Sequence, residues 1–176
     1  MDTGEHASIV LSELARVMAA VDARAAERLV EQIRGARRVY VAACGRSALA
    51  ARAFAMRLMH LGCAAHVAGD TTTPAIGKGD LLIVCSGKGE KATLIGFMRA
   101  AAAAGAGCAA VTSEPGSSVA RLAGTVIGLP VGGSVQFGGS LFEQAALVLF
   151  DSIVLRLIDA TDARHEDMAA RHANLE

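Results

Sequence analysis

Residues 1–36 carry a single apolar stripe. Val10, Leu14, Val17, Val21, Ala25, Leu29 and Ile33 recur every three or four positions between Glu5 and Arg34, with Asp22, Arg24, Glu27 and Arg28 filling the gaps. That period predicts one long amphipathic helix, and no Gly or Pro interrupts it before Gly35, which reads as its stop. Beyond Gly35 short apolar runs alternate with helical stretches. Strands are expected at 38–44, 64–69, 81–86, 107–113 and 124–131, and helices at about 46–61, 91–104, 118–122 and 141–158. Gly105 is expected to end the second of these helices.

The apolar runs are continuous rather than alternating, which indicates strands covered on both faces and therefore parallel. Five of them separated by helices predict an α/β fold, a single doubly wound five-stranded parallel sheet over 37–176, with 1–36 as an additional N-terminal helix packing on the domain or on a partner subunit. Ligands in such sheets bind beyond the carboxyl ends of the strands. That rule puts residues 45–47, 70–74, 86–91 and 113–116 on one rim.

Composition narrows the chemistry. Apolar residues make up 53% of the 176, but there are only one Tyr, five Phe and no Trp, so the core is built from aliphatic side chains. Seventeen basic and seventeen acidic residues cancel, leaving no global field for nucleic acid or an anionic membrane, and stacking aromatics are scarce. No apolar run reaches the ~18 residues a membrane span needs, and the acidic N-terminus lacks a signal-peptide pattern. Cys44, Cys63, Cys85 and Cys108 stand singly, without metal-ligand spacing, and read as reduced, packed cysteines. The expectation is a soluble cytoplasmic protein with no metal, no nucleic-acid partner and no membrane contact; the mixed charge of the first helix fits subunit packing better than a bilayer.

The stretch "LLIVCSGKGEKATLIGF" (81–97) holds a glycine turn between a strand and a helix. It does not fit the nucleotide P-loop, which needs a Lys-Ser/Thr pair at fixed spacing. Gly87-x-Gly89-x-x-Ala92 satisfies the short dinucleotide fingerprint, with Glu114 as a ribose-binding acid, but it follows the third strand rather than the first. The remaining reading is a sugar-phosphate cradle. Amides at a helix start and the hydroxyls of Ser86 and Ser47 would bind a phosphate dianion, while Gly87 and Gly89 would let the backbone approach through positive φ. Ordinary helix capping by Ser47 and Ser86 is the competing structural role.

The segments "GRS" (45–47), "MRLMHLG" (56–62), "TTTP" (71–74), "CSGKGE" (85–90), "FEQ" (142–144) and "RHANLE" (171–176) resemble the SIS (sugar isomerase) domain family, and within it the 6-phospho-3-hexuloisomerases. The likeness runs from the first strand to the last residue. It implies a flavodoxin-like sheet, a homotetramer and interconversion of D-arabino-hex-3-ulose 6-phosphate and fructose 6-phosphate, a step of the ribulose monophosphate pathway, without metal or organic cofactor. The implied substrate contacts are Gly45, Arg46, Ser47, Thr71, Thr72, Ser86, Gly87, Lys88, Gly89 and Lys91. Two departures stand out. The family loop usually reads Ser-Gly-Ser-Gly-Glu-Thr, but Lys88 and Lys91 replace its hydroxyls here, and the later Gln-Pro-Met-Gly segment is Gln136-Phe137-Gly138-Gly139. A non-catalytic phosphosugar-sensing module and a NAD(P)-binding protein remain as alternatives.

Moving a carbonyl between C3 and C2 needs a base at carbon and an acid/base at the oxygens. Glu143, just past a glycine turn, matches the family's catalytic glutamate. Ser140-x-x-Glu143 is also a capping box, which gives the same residue a structural role. His60 and His172 match the subgroup's signatures and compete for the oxygen-side role. His66 reads as a strand residue, and His6 and His165 as surface positions.

Overall fold

The structure, a computed structural model, describes residues 1–175; Glu176, the end of the 171–176 motif, lies outside the described residues. Five strands, β1 (Val39–Ala43), β2 (Ala65–Val67), β3 (Leu81–Cys85), β4 (Gly107–Thr112) and β5 (Thr125–Gly128), form one sheet in the order β2-β1-β3-β4-β5. Every pairing is parallel. Strand order reverses between β1 and β3, so the crevice beyond their carboxyl ends is the topological switch point where such sheets take ligands.

Alternate residues of each strand supply two cores. Val39, Val41, Leu81, Ile83, Ala109, Val111 and Ile127 face α1 (Thr3–Ala19), α2 (Ala23–Gly35), α3 (Arg46–His60) and α6 (Ser140–Thr161). Tyr40, Ala42, Leu82, Val84, Cys108 and Ala110 face α4 (Ala92–Ala103) and α5 (Ser118–Leu122). On the first face α3 and α6 pack closely, and Phe54 stacks on Phe150 with ring centroids 4.4 Å apart. Helices α3 and α6 thus enter the switch-point crevice side by side, fixed by their own apolar contacts.

The N-terminal stripe is two helices, not one. Asp22 breaks it by taking an extended backbone and accepting the Arg24 amide on its carboxylate, as an N-cap does. The apolar period runs through the break, which is why periodicity alone missed it. Both helices belong to the domain: Val17, Leu29, Val30 and Ile33 lie in its core. A short α7 (His165–Ala170), which has no buried residue and hence no stripe, was not anticipated; it packs on α3. Gly105, with φ +75°, follows α4 as expected. No helix among the described residues is long and apolar enough to cross a membrane.

Candidate active site

The switch point opens into a cleft of about 880 Å³. Its floor is the first residue past three strands, Cys44, Ser86 and Ser113, and its walls include Arg46, Ser47, Gly87, Lys88, Lys91, Glu114, Phe142 and Glu143. On the β1 side, Gly45 takes φ +61° and ψ −143°, a conformation open in practice to Gly alone, and turns the chain sharply into α3. Arg46 and Ser47 are therefore the first residues of the helix. Ser47 is not its cap, because Gly45 holds that position and no side chain bonds there.

On the β3 side the loop 86–91 is held by its carbonyls and leaves its amides open. The Gly87 carbonyl accepts from Thr112 Oγ1 (2.8 Å), Ser113 N (3.0 Å) and Ser113 Oγ (2.9 Å). Glu90 accepts the Ser118 amide at 2.8 Å, and hydrogen bonds from Ser118 lower its pKa. The backbone N–H groups of residues 87–91 donate to nothing among the described residues. They sit at the start of α4, whose N-cap, Lys91, supplies no side-chain bond. Open amides, a helix N-terminus and two exposed lysines make an anion-binding concavity. Ser86 adds a hydroxyl: the residue is 7% exposed, lines the cleft and caps no helix.

The two loop glycines differ in their reasons. Gly89 has φ +67°, and a Cβ there would lie 2.2 Å from Ser117 Oγ, so only Gly lets the loop pack on the start of α5. Gly87 does not take the positive φ expected of it, and a Cβ would meet Phe142 at an ordinary 3.5 Å.

The capping box at the start of α6 does not form. Gly139 is the N-cap, one residue earlier than the motif requires, and Ser140 Oγ donates to the Phe137 carbonyl. The Glu143 carboxylate, 11% exposed, pairs instead with the Arg46 guanidinium across the cleft mouth. The carboxylate is thus released from capping and lines the same cleft as the 86–91 loop.

Two groups of expected residues lie elsewhere. Thr71 and Thr72 are exposed in the loop after β2 and do not line the cleft; that loop is tied down by Asp70 to Arg52 and by Thr73 to the Val67 carbonyl. His60 closes the far end of α3, about 21 Å from Arg46 at the α-helical rise. It is buried at 2% under His172, with ring centroids 5.0 Å apart. Arg57 Nη1 lies 3.4 Å from His60 Nδ1, within hydrogen-bond reach. The two histidines meet, as near-equal rivals for one role, but at the opposite rim from Glu143. That rim has its own cavity beside Arg34, Arg37 and Arg38, whose guanidiniums are engaged by Glu31 and Asp80.

Ser113 falls in the 113–116 segment expected on the rim, whereas Cys44 and Phe142 were not singled out from the sequence. The first residue after each parallel strand is the signal that finds Cys44 and Ser113. Cys85 and Cys108 are buried as expected, and burial pushes the Cys85 thiol up to about 12, whereas Cys44 is exposed in the cleft. Among the described residues no group of three or more His, Cys, Asp or Glu could hold a metal ion.

Residues 32–154 match the SIS domain. The chain is 43% identical to a 3-hexulose-6-phosphate isomerase of Mycobacterium gastri, over 99% of this chain and 92% of the relative. It is 37% identical to one of Bacillus subtilis over the full length of both. A solved structure of a hypothetical protein from Methanococcus jannaschii, described as inferring a 3-hexulose-6-phosphate isomerase function, superposes with a TM-score of 0.89 at 30% identity, covering 98% of this chain and 99% of the other.

Proposed function

The chain belongs to the SIS domain family, and we propose that it is a phosphosugar isomerase that interconverts D-arabino-hex-3-ulose 6-phosphate and fructose 6-phosphate through a 2,3-enediol. The observation that carries this reading is the joining, in one cleft, of an open-amide loop for a phosphate and a carboxylate that caps nothing. The phosphate dianion sits on the 87–91 amides and the Ser86 hydroxyl, with Lys88 and Lys91 adding charge. Glu143 takes the proton from C2 of the hexulose and returns it to C3. Arg46 turns from Glu143 to the entering sugar, exchanging one anionic or polar partner for another.

Among the described residues no imidazole of the same chain lines this cleft, so the oxygen-side proton transfer is assigned to the His60–His172 pair of a neighbouring subunit. The exposed side chains of Leu49 and Leu147, beside Arg46 and Glu143, and those of Met56 and Leu155 farther along α3 and α6, support a symmetric oligomer, with a homotetramer as the expected state. Neither metal nor organic cofactor is assigned to the reaction.

Incubating the protein with fructose 6-phosphate and following the hex-3-ulose by 13C NMR tests the proposal. Turnover supports it. A rise in melting temperature with fructose 6-phosphate but no turnover would indicate the sensing module that the lysine-bearing loop also suits, and a rise with NAD(P) alone a nucleotide-binding protein.

A further inference from the structure

The segment 132–139, between β5 and α6, has little of its own to hold it. It is bracketed by the pairs Gly132-Gly133 and Gly138-Gly139, and Gly133 (φ +75°) and Gly138 (φ +63°) both take left-handed conformations. Its large apolar side chains contribute almost no packing: Val135 is 77% exposed and Phe137 95%. Ordering so glycine-rich a segment costs conformational entropy that burial does not offset. Yet Gly138 and Gly139 wall the cleft. The same stretch sets the first turn of α6, where the Glu143 amide donates to the Gly139 carbonyl at 3.1 Å.

What holds it comes from the opposite end of the chain. Glu13 on α1, only 8% exposed, accepts hydrogen bonds from Ser134 Oγ (2.8 Å), the Val135 amide (2.9 Å) and Gln136 Nε2 (2.9 Å). Ser134 Oγ accepts in turn from the Gln136 amide at 3.0 Å. One turn along α1, Arg16 donates to the Gly132 carbonyl at 3.0 Å. Charge-assisted bonds to a sheltered carboxylate are strong and directional, so they fix the segment where packing does not. Helix α1 is itself seated against α6, and its Val17 is fully buried in the core. Helix α1, the glycine segment and the helix carrying Glu143 therefore close into one ring of contacts.

We propose that Glu13 is a positioning residue for the reaction: it locks residues 132–139 so that the Gly138-Gly139 wall and Glu143 meet the sugar carbons in register. The inference rests on the cleft being the isomerase site. The lock acts on the base and on the sugar end of the cleft, while the phosphate is held by a different loop. Its loss shows in kcat and leaves binding intact.

The experiment compares wild-type protein with Glu13→Ala, Gln136→Ala, the double variant and Glu13→Gln, measuring isomerase kcat, calorimetric Kd for fructose 6-phosphate and the melting temperature. Glu13→Ala is expected to lower kcat by about 10- to 100-fold, the size of effect that follows a displacement of about 1 Å in a reacting group, with Kd unchanged. Glu13→Gln recovers most of the activity, because its oxygen still accepts the Val135 amide and its nitrogen can donate to Ser134 or to a flipped Gln136. The double variant is no slower than Glu13→Ala, since both changes open the same lock. An active wild type whose Glu13→Ala variant turns over as fast, or loses affinity and kcat together, or adds its effect to that of Gln136→Ala, overturns the lock alone. A wild type with no isomerase activity overturns the functional reading and the lock with it.

Discussion

Arg46 and Glu143, 97 residues apart in the chain, form an ion pair across the mouth of the switch-point cleft, one at the first position of α3 and the other in the first turn of α6. The pair joins the turn after β1 to the start of α6 beside the 86–91 loop, and it replaces the capping role that Glu143 would otherwise serve. Glu143→Gln keeps the shape and removes the proposed base. Turnover is expected to fall by about 10³-fold or more, with the melting temperature unchanged, measured by steady-state assay and thermal melt. Near-normal turnover would remove Glu143 from the chemistry.

The proposal that the site is shared between subunits makes a second prediction. A Glu143→Gln protein and a His60→Asn/His172→Asn protein are each inactive alone. Unfolded and refolded together in equal amounts, they should regain about a quarter of wild-type activity, because random assembly pairs an intact glutamate with an intact histidine pair in that fraction of sites. No recovery would mean that the histidines do not act across a subunit boundary.

In the proposed site Lys88 and Lys91 take the place of hydroxyls and would hold the phosphate by charge. An exposed ammonium is strongly hydrated and screened by salt, so its advantage over a hydroxyl is small. Lys88→Ser/Lys91→Thr should keep or improve KM at moderate ionic strength, and only the wild-type KM should rise steeply as salt is added. A collapse of turnover with binding unchanged would show that the lysines do more than bind.

Gly89→Ala forces a Cβ to within 2.2 Å of Ser117 Oγ and 2.4 Å of Ser117 Cβ at a left-handed φ. A loss of about 2–4 kcal/mol in denaturant melts is expected, together with loss of phosphosugar binding. Gly87→Ala, facing open packing against Phe142, should retain stability; equal damage from both would contradict this reading of the loop.

Asp80 gives the fold an acid-sensitive point remote from the cleft. Burial would raise its pKa, but hydrogen bonds from Arg38, Arg37 and the Gly77 amide outweigh burial and hold it at about 2, against 3.8 for an unperturbed Asp. The folded value is the lower one, so the stabilisation is complete above the unfolded pKa and disappears as the pH falls from near 4 to about 2. Asp80→Asn should lower stability by about 2–4 kcal/mol at neutral pH and flatten the acid limb of a stability–pH curve. An unaltered acid limb would assign that limb to other carboxylates.

The sheet was legible because buried parallel strands write themselves as unbroken apolar runs, and 81–85 and 107–112 were found almost to the residue. The break at Asp22 was not, since a stripe with a 3.6-residue period carries no mark of where the axis bends. The phosphate loop was legible from its glycines, though Gly89 serves contact with Ser117 and Gly87 needs no special φ. Glu143 carried two readings that only the position of the cap, Gly139, separates. That His60 and His172 meet each other and not Glu143 depends on helix length and on the path of the tail, which no local motif records. Glu13 sat on the edge of an apolar stripe as a lone acid, and its partners, more than 120 residues away, were invisible to any window.

The most direct test of enediol chemistry in this cleft is to incubate the protein with fructose 6-phosphate in deuterated water and locate the label by NMR. The account predicts deuterium at C3, introduced by wild-type protein and at a rate at least about 10³-fold lower by Glu143→Gln. Label at C1, or label at C3 that persists undiminished in Glu143→Gln, would contradict it.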